Sequence, residues 1–244
     1  MTIHSISDKA GRTPQSSNYV KNLAPTPILD CGDTRIRLLA EQLHELPPRG
    51  LLQAAHQVLT DRLRPIYDLD ERQPTSVTLQ RACGSCSQRM ACLEAVSRAA
   101  GIPTRVHAFH VDGSFWYPRF PLLHAFIPKR ILLLWPQFLL EDSWVDFDEL
   151  YGSPSQLAAT SVGFFSNQGE SLFEAVRHTP IDFLGKTCGL ACARPDLDLS
   201  RFVLADEGIF DTRDEALHRL GSLQGTLRGH LFQLLYKGKS SAKV

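Results

Sequence analysis

No excess of charge of either sign marks this chain: 26 Lys and Arg are matched by 26 Asp and Glu in 244 residues. Proteins that bind nucleic acid or lie on an anionic membrane usually carry a basic excess, so the balance points away from both partners. The N-terminus, MTIHSISDKAGRTPQSSNYVKN, lacks the apolar core of an export signal. Long hydrophobic runs are also missing. The most apolar stretch, Ile131 to Trp135, is broken by Pro128, Lys129, Arg130 and Pro136 and is too short to span a bilayer. A cytoplasmic protein is expected, and in that compartment a disulfide framework is not. The six cysteines (Cys31, Cys83, Cys86, Cys92, Cys188 and Cys192) are therefore weighed as nucleophiles, metal ligands or small core residues. There is no internal repeat, no calcium-type acidic loop and no nucleotide motif, so no cofactor is expected.

What is present is an ordinary globular composition, 43% hydrophobic and 21% charged, long enough for one large domain or a domain with an appendage. Residues 1–24 are polar and read as a mobile tail. LLQAAHQVLTDRL, from Leu51 to Leu63, carries apolar residues at helical spacing and is limited by Pro65. Pro74 and Thr75 open a short helical turn carrying Val77 and Leu79. CSQRMACLEAVSRAA, from Cys86 to Ala100, is the clearest helix. Ser85 caps it, Met90, Leu93, Ala95, Val96 and Ala100 give it an apolar side, and Gly101 with Pro103 closes it. RVHAFHV is a strand ending at the turn signal Asp112-Gly113. His124 to Ile127, Arg130 to Trp135 and Trp144 to Phe147 are further strands. After Tyr151-Gly152 the pattern changes. Residues 153–244 read as a partly helical extension, with amphipathic helix over 213–236 and glycines at 221, 225 and 229 for close helix packing.

A thiol becomes a useful nucleophile when its thiolate is stabilised, and a helix N-terminus does this through free N–H groups and partial positive charge. Cys86 stands there, after the small pair Gly84-Ser85, with Gly84 letting the backbone turn sharply. Cys92 lies six residues into the helix and reads as core. Two other readings of these thiols stay open. Cys83-x-x-Cys86 before a helix has redox spacing, although no thioredoxin-like strand precedes it. The same pair with Cys188 and Cys192 has zinc-ligand spacing, across a gap of about a hundred residues. The plainer reading makes Cys83, Cys188 and Cys192 small buried residues and expects no metal.

GSCSQRMACLEAVSRAAGIPTRV resembles the nucleophile helix of the transglutaminase-like superfamily: Gly-x-Cys, about four turns of helix, then Gly-Ile-Pro-x-Arg-Val leading into a strand. The upstream text, LLQAAHQVLTDRL, IYD and SVTLQRACG, fits the same pattern. Downstream, LLHAFIP resembles the family's His-Ala-Phe, which places the base at His124. WVDFD resembles its Trp-Val-x-hydrophobic-Asp, which places the acid at Asp148. The likeness covers roughly residues 50–152. The stretch from His124 to Trp144 is longer than the family's hairpin, and Asp148-Glu149-Leu150 replaces its Asp-Pro-Thr. Asp146 lies two residues from Asp148, on the same side of a strand, and is the alternative acid.

The resemblance implies an α+β fold with a transglutaminase-like or papain-like core over residues 25–152, in which a central nucleophile helix packs on an antiparallel sheet. It implies a Cys86–His124–Asp148 triad and an acyl-enzyme on Cys86, formed from an amide or thioester. The backbone N–H of Cys86 is an oxyanion donor. The acyl donor is a small molecule or peptide, and the acceptor is an amine or water. Cysteine-dependent acyl transfer competes with a cysteine peptidase or amidase, and with a non-catalytic binding protein of the same fold. Gly84, Ser85, Trp116, Tyr117 and Trp135 are candidates for the substrate cleft, Trp135 through WPQF. His107 and His110 read as strand residues, with His110 a further candidate for the cleft.

Overall fold

The computed structural model describes residues 19–120, 127–160, 165–185 and 199–222. His124, Cys188, Cys192 and most of the helix expected over 213–236 lie outside them.

Three short helices lead in: α1 (Val20–Leu23), α2 (Thr34–Gln42) and α3 (Pro48–Arg62). The tail expected over 1–24 thus meets ordered structure before its end. Asn22 is buried and donates to the carbonyl of Thr104, which holds α1 against the core. A two-residue parallel ladder follows, β1 (Arg64–Pro65) against β2 (Cys83–Gly84), with α4 (Thr75–Arg81) between them. Ala82 takes a left-handed conformation, φ 49°, ending α4 and turning the chain into β2.

The ladder delivers the chain to α5 (Cys86–Ala99), the centre of the molecule. All residues from Gln88 to Arg98 are buried, so α5 is enclosed on every side instead of showing one apolar stripe. Its polar residues are buried because each finds partners. Glu94 accepts from Arg213 Nε at 2.6 Å. Arg98 donates to the carbonyls of Ala24 at 2.7 Å and Asp211 at 3.0 Å. Such pairing is what makes burying a charge tolerable.

α2, α3 and α4 pack around α5, and its remaining side rests on an antiparallel sheet. The strands are β3 (Thr104–Asp112), β4 (Arg130–Leu140), β5 (Ser143–Asp146) and β6 (Val203–Phe210), in the order β5-β4-β3-β6. β4 runs five residues beyond the strand expected to end at Trp135. It passes through Pro136, which lies opposite Val106 and has no N–H to give. β4 turns into β5 through Glu141 and Asp142, with φ 51° and 61°. Positive φ at both central residues is what a two-residue type I′ hairpin demands. β5 ends at Asp146, and residues 147–149 form a 3₁₀ turn, so Asp148 is not on a strand.

The segment beyond residue 152 is part of the same body. After α6 (Pro154–Thr160) and α7 (Leu172–Ala175) it supplies β6 to the sheet. α8 (Arg213–Leu220) then sends Arg213 into the core. No described helix is long and apolar enough to cross a membrane.

Candidate active site

The N-terminus of α5 is fixed by reciprocal capping. The N–H of Gln88 donates to Ser85 Oγ at 3.3 Å, and the N–H of Ser85 donates to Gln88 Oε1 at 2.9 Å. Gln88 Nε2 also donates to the carbonyl of Asp70 at 2.9 Å, tying the cap to the segment after β1. Gly84 matters here for close approach, not for a sharp turn. A Cβ on it meets Thr78 Cγ2 at 2.8 Å and Gln88 Cβ at 3.3 Å.

Cys86 is the first residue of α5 and opens onto a cleft walled mainly by apolar side chains. Met90 of α5, Leu69 and Trp116 are among the walls, with residues 131–133 of β4 and Leu172 of α7 opposite. The polar groups are few. Arg119 donates to Asn167 Oδ1 at 2.5 Å and to the carbonyl of Glu170. Glu71 lines the cleft beside Ser87, whose hydroxyl donates to Glu71 Oε1 at 3.3 Å. Of the residues expected in the cleft, Ser85 and Trp116 line it. Gly84, Tyr117 and Trp135 do not, and neither does His110.

The reasons are local. Trp135 sits in the middle of β4, inside a four-stranded sheet, and is 2% exposed. Tyr117 is 39% exposed on the 3₁₀ segment after β3. Gly84 is enclosed between α4 and α5. His110 and His107 pair across the sheet with Glu207 and Asp206 of β6, each at 2.7 Å.

Burial pushes the Cys86 thiol up to about 11. The carboxylate of Glu174 adds to the rise, while the Arg89 guanidinium and a backbone hydrogen bond from Phe173 oppose it. Arg89, one turn further along α5, is fully buried, pairs with Glu174 and lies 4.4 Å from the centre of the Phe173 ring. The helix N-terminus alone therefore does not yield the acidic thiol expected from the sequence. Burial drives the Cys92 thiol up further, so Cys86 remains the more acidic of the two. Cys83 and Cys86 are not bonded to each other.

Asp148 is buried and accepts from the indole Nε1 of Trp135 at 2.6 Å. Asp146 accepts from Gln137 Nε2 at 2.6 Å. Gln137 in turn accepts from Arg105, which stacks on Trp144 at 4.1 Å. The two carboxylates thus meet residues two apart on β4, the same face of a strand, although only Asp146 is itself in one. Neither lines the cleft among the described residues. Sequence reasoning missed three groups near Cys86. They are Glu71, to which the sequence assigns no role, and the pair Arg89–Glu174, whose members are 85 residues apart.

A thiol at the first turn of a buried helix, with that helix laid on an antiparallel sheet, defines the papain-like architecture of cysteine enzymes. Residues 39–149, a little under half of the chain, match the family described as the transglutaminase-like superfamily. The match supports a cysteine-based enzyme and leaves the acyl acceptor unspecified. No curated protein matches the chain. Among solved structures it is similar to "a Putative Cysteine Protease from Cytophaga hutchinsonii", with 14% identity and a TM-score of 0.43. That likeness covers 59% of this chain and 45% of the other.

Proposed function

We propose that the protein transfers an acyl group through a thioester on Cys86, from an amide or thioester of a small molecule or peptide to an amine. The observation that carries the reading is the placement of Cys86: first residue of a capped, buried helix, opening onto an apolar cleft. His124 is the proposed base and Asp148 the proposed acid. A thiol held at about 11 is almost wholly protonated at pH 7, and ionising it unaided costs roughly 5 kcal/mol. A base is therefore required, and the imidazole of His124 takes the proton as Cys86 Sγ attacks the carbonyl carbon. The carboxylate of Asp148 orients the ring and supports its charge. The backbone N–H of Cys86 is without an intrahelical partner at N1 and is one oxyanion donor. The imidazolium gives the proton taken from Cys86 to the donor's leaving amine or thiol as its bond to the carbonyl carbon breaks, leaving the thioester on Cys86. The neutral ring then takes a proton from the acceptor amine as it attacks, the new C–N bond forms as the C–S bond breaks, and the proton passes to the departing sulfur.

Trapping tests this. The full chain incubated with a p-nitrophenyl ester and digested should carry the acyl group on the Cys86 peptide, and Cys86→Ala should carry none. Acylation confined to Cys83 or Cys92, or no acylation, overturns the reading.

A further inference from the structure

The chemistry just described gives the Glu71 carboxylate no task. Glu71 lines the same cavity as Cys86, and its two oxygens differ. Oε1 accepts from Ser87 Oγ at 3.3 Å, and Ser87 Oγ itself accepts from Arg213 at 3.1 Å. Oε2 is buried and has no hydrogen-bond partner among the described residues. A buried carboxylate oxygen without a donor is costly, and that cost is released when a donor arrives.

The neighbouring charges do not supply one. Arg213 is engaged by Glu94 at 2.6 Å. Arg72, on the same segment, points its guanidinium at the carbonyl of Leu217. Asp70, next but one to Arg72, is a further negative charge, and Asp68 of the cleft pairs with Arg81 at 3.5 Å. Leu69, Met90 and Trp116 give the cleft apolar wall, and its other charged side chains are matched: Arg119 by Asn167 and the carbonyl of Glu170, Asp68 by Arg81. Glu71 is the carboxylate of the cleft left without an ion pair among the described residues, and beside apolar wall it complements a cation with an apolar body.

We propose that Glu71 selects the acceptor substrate: its unpartnered oxygen receives the primary ammonium group of an amine whose apolar chain lies along the cleft. The binding site follows from the cavity and from Glu71 itself. It rests on the acyl-transfer reading only in making the bound amine the acceptor, which attacks after its ammonium has given up a proton to the neutral imidazole. Burial holds the Glu71 carboxyl up at about 7, with Arg213, the Ser87 hydroxyl and Arg72 pulling it down and Asp70 raising it. An ammonium on Oε2 requires the ionised form, so amine affinity should fall as pH drops through 7.

The test is calorimetric titration of the full chain with hexylamine, and with 1-hexanol as its neutral counterpart. At pH 8, hexylamine should bind the wild type and Cys86→Ala alike, and bind Glu71→Gln at least tenfold more weakly. Glu71→Asp, one methylene shorter, should fall between them. Lowering the pH from 8 to 6 should weaken hexylamine binding to the wild type by about tenfold, as the carboxyl passes from mostly ionised to mostly protonated, and leave Glu71→Gln unchanged. Hexanol binding should not respond to the Gln substitution. Equal hexylamine affinity in wild type and Glu71→Gln, or no binding by the wild type, overturns the assignment. Because Cys86→Ala serves in this assay, a failure of acyl transfer is read separately, from the absence of label on Cys86.

Discussion

Asp148 and Asp146 separate once their partners are compared. Asp146 belongs to a lattice of Gln137, Arg105 and Trp144 that locks β5 onto β4. Asp148 faces inward, with an indole N–H holding one oxygen. On the proposed mechanism, Asp148→Ala should lower turnover by about a hundredfold or more, while Asp146→Ala costs severalfold at most. Steady-state kinetics decide it, and the reverse order moves the acid to Asp146. His56 gives a residue-scale prediction of another kind. It is fully buried between the Tyr151 hydroxyl at 2.8 Å and the carbonyl of Phe173 at 2.6 Å. Burial, outweighing the Phe173 carbonyl, drops its pKa from 6.5 to about 4. Above pH 6.5 the ring is neutral in both folded and unfolded chains, and its contribution is complete. Between 6.5 and 4 only the unfolded chain takes up the proton, so stability should decline by roughly 3 kcal/mol across that window. Ring-proton NMR should show a neutral imidazole until about pH 4, and titration near 6.5 would rule this out. Cys86 was legible in the sequence because its signals are local: Gly-Ser before a periodic run, Gly-Ile-Pro after it. Glu71 was not, since the groups that set its surroundings include Ser87, Met90, Trp116 and Arg213, which lie far from it in sequence.

At the scale of elements, α5 owes its position to its first turn. The Ser85–Gln88 capping box satisfies two backbone donors, and Gln88 anchors that turn to Asp70. Ser85→Ala should cost about 1 kcal/mol, read from the urea midpoint at constant m. Gly84→Ala should cost more, because its new methyl meets Thr78 Cγ2 at 2.8 Å and the side chain of Gln88 behind it. A smaller loss for Gly84→Ala than for Ser85→Ala would contradict this packing. α3 follows its apolar period closely, with Leu51, Leu52, Ala55 and Leu59 buried, but β6 escaped notice. VLADEGIF places Asp206, Glu207 and Gly208 in its middle, and its register against β3 shifts twice, at residues 108/109 and 110/111. Those irregularities erase the alternation by which a strand is recognised. The end of β5 was equally hidden: nothing in WVDFD says that the strand stops at Asp146 and a 3₁₀ turn carries Asp148.

For the molecule as a whole, the pair Glu94–Arg213 joins the centre of α5 to α8 across 119 residues of sequence. Arg213 also reaches Ser87 Oγ and the carbonyl of Leu134, so one guanidinium binds helix, sheet and C-terminal segment together. Glu94→Ala strands that charge in the core and should cost about 3–5 kcal/mol. Glu94→Leu combined with Arg213→Met should cost less than either single change, and a denaturation cycle of the four proteins measures the difference. Additive losses would deny the coupling. The superfamily match stops at residue 149, yet β6 comes from residues 203–210 and runs along the outer side of β3. That strand is a guard. A fragment trimmed to the matched stretch would keep the Cys86 helix and still bare a long row of backbone N–H and C=O groups on β3. Such an open edge recruits strands from other copies, so the fragment should be lost to aggregation before its thiol could be assayed.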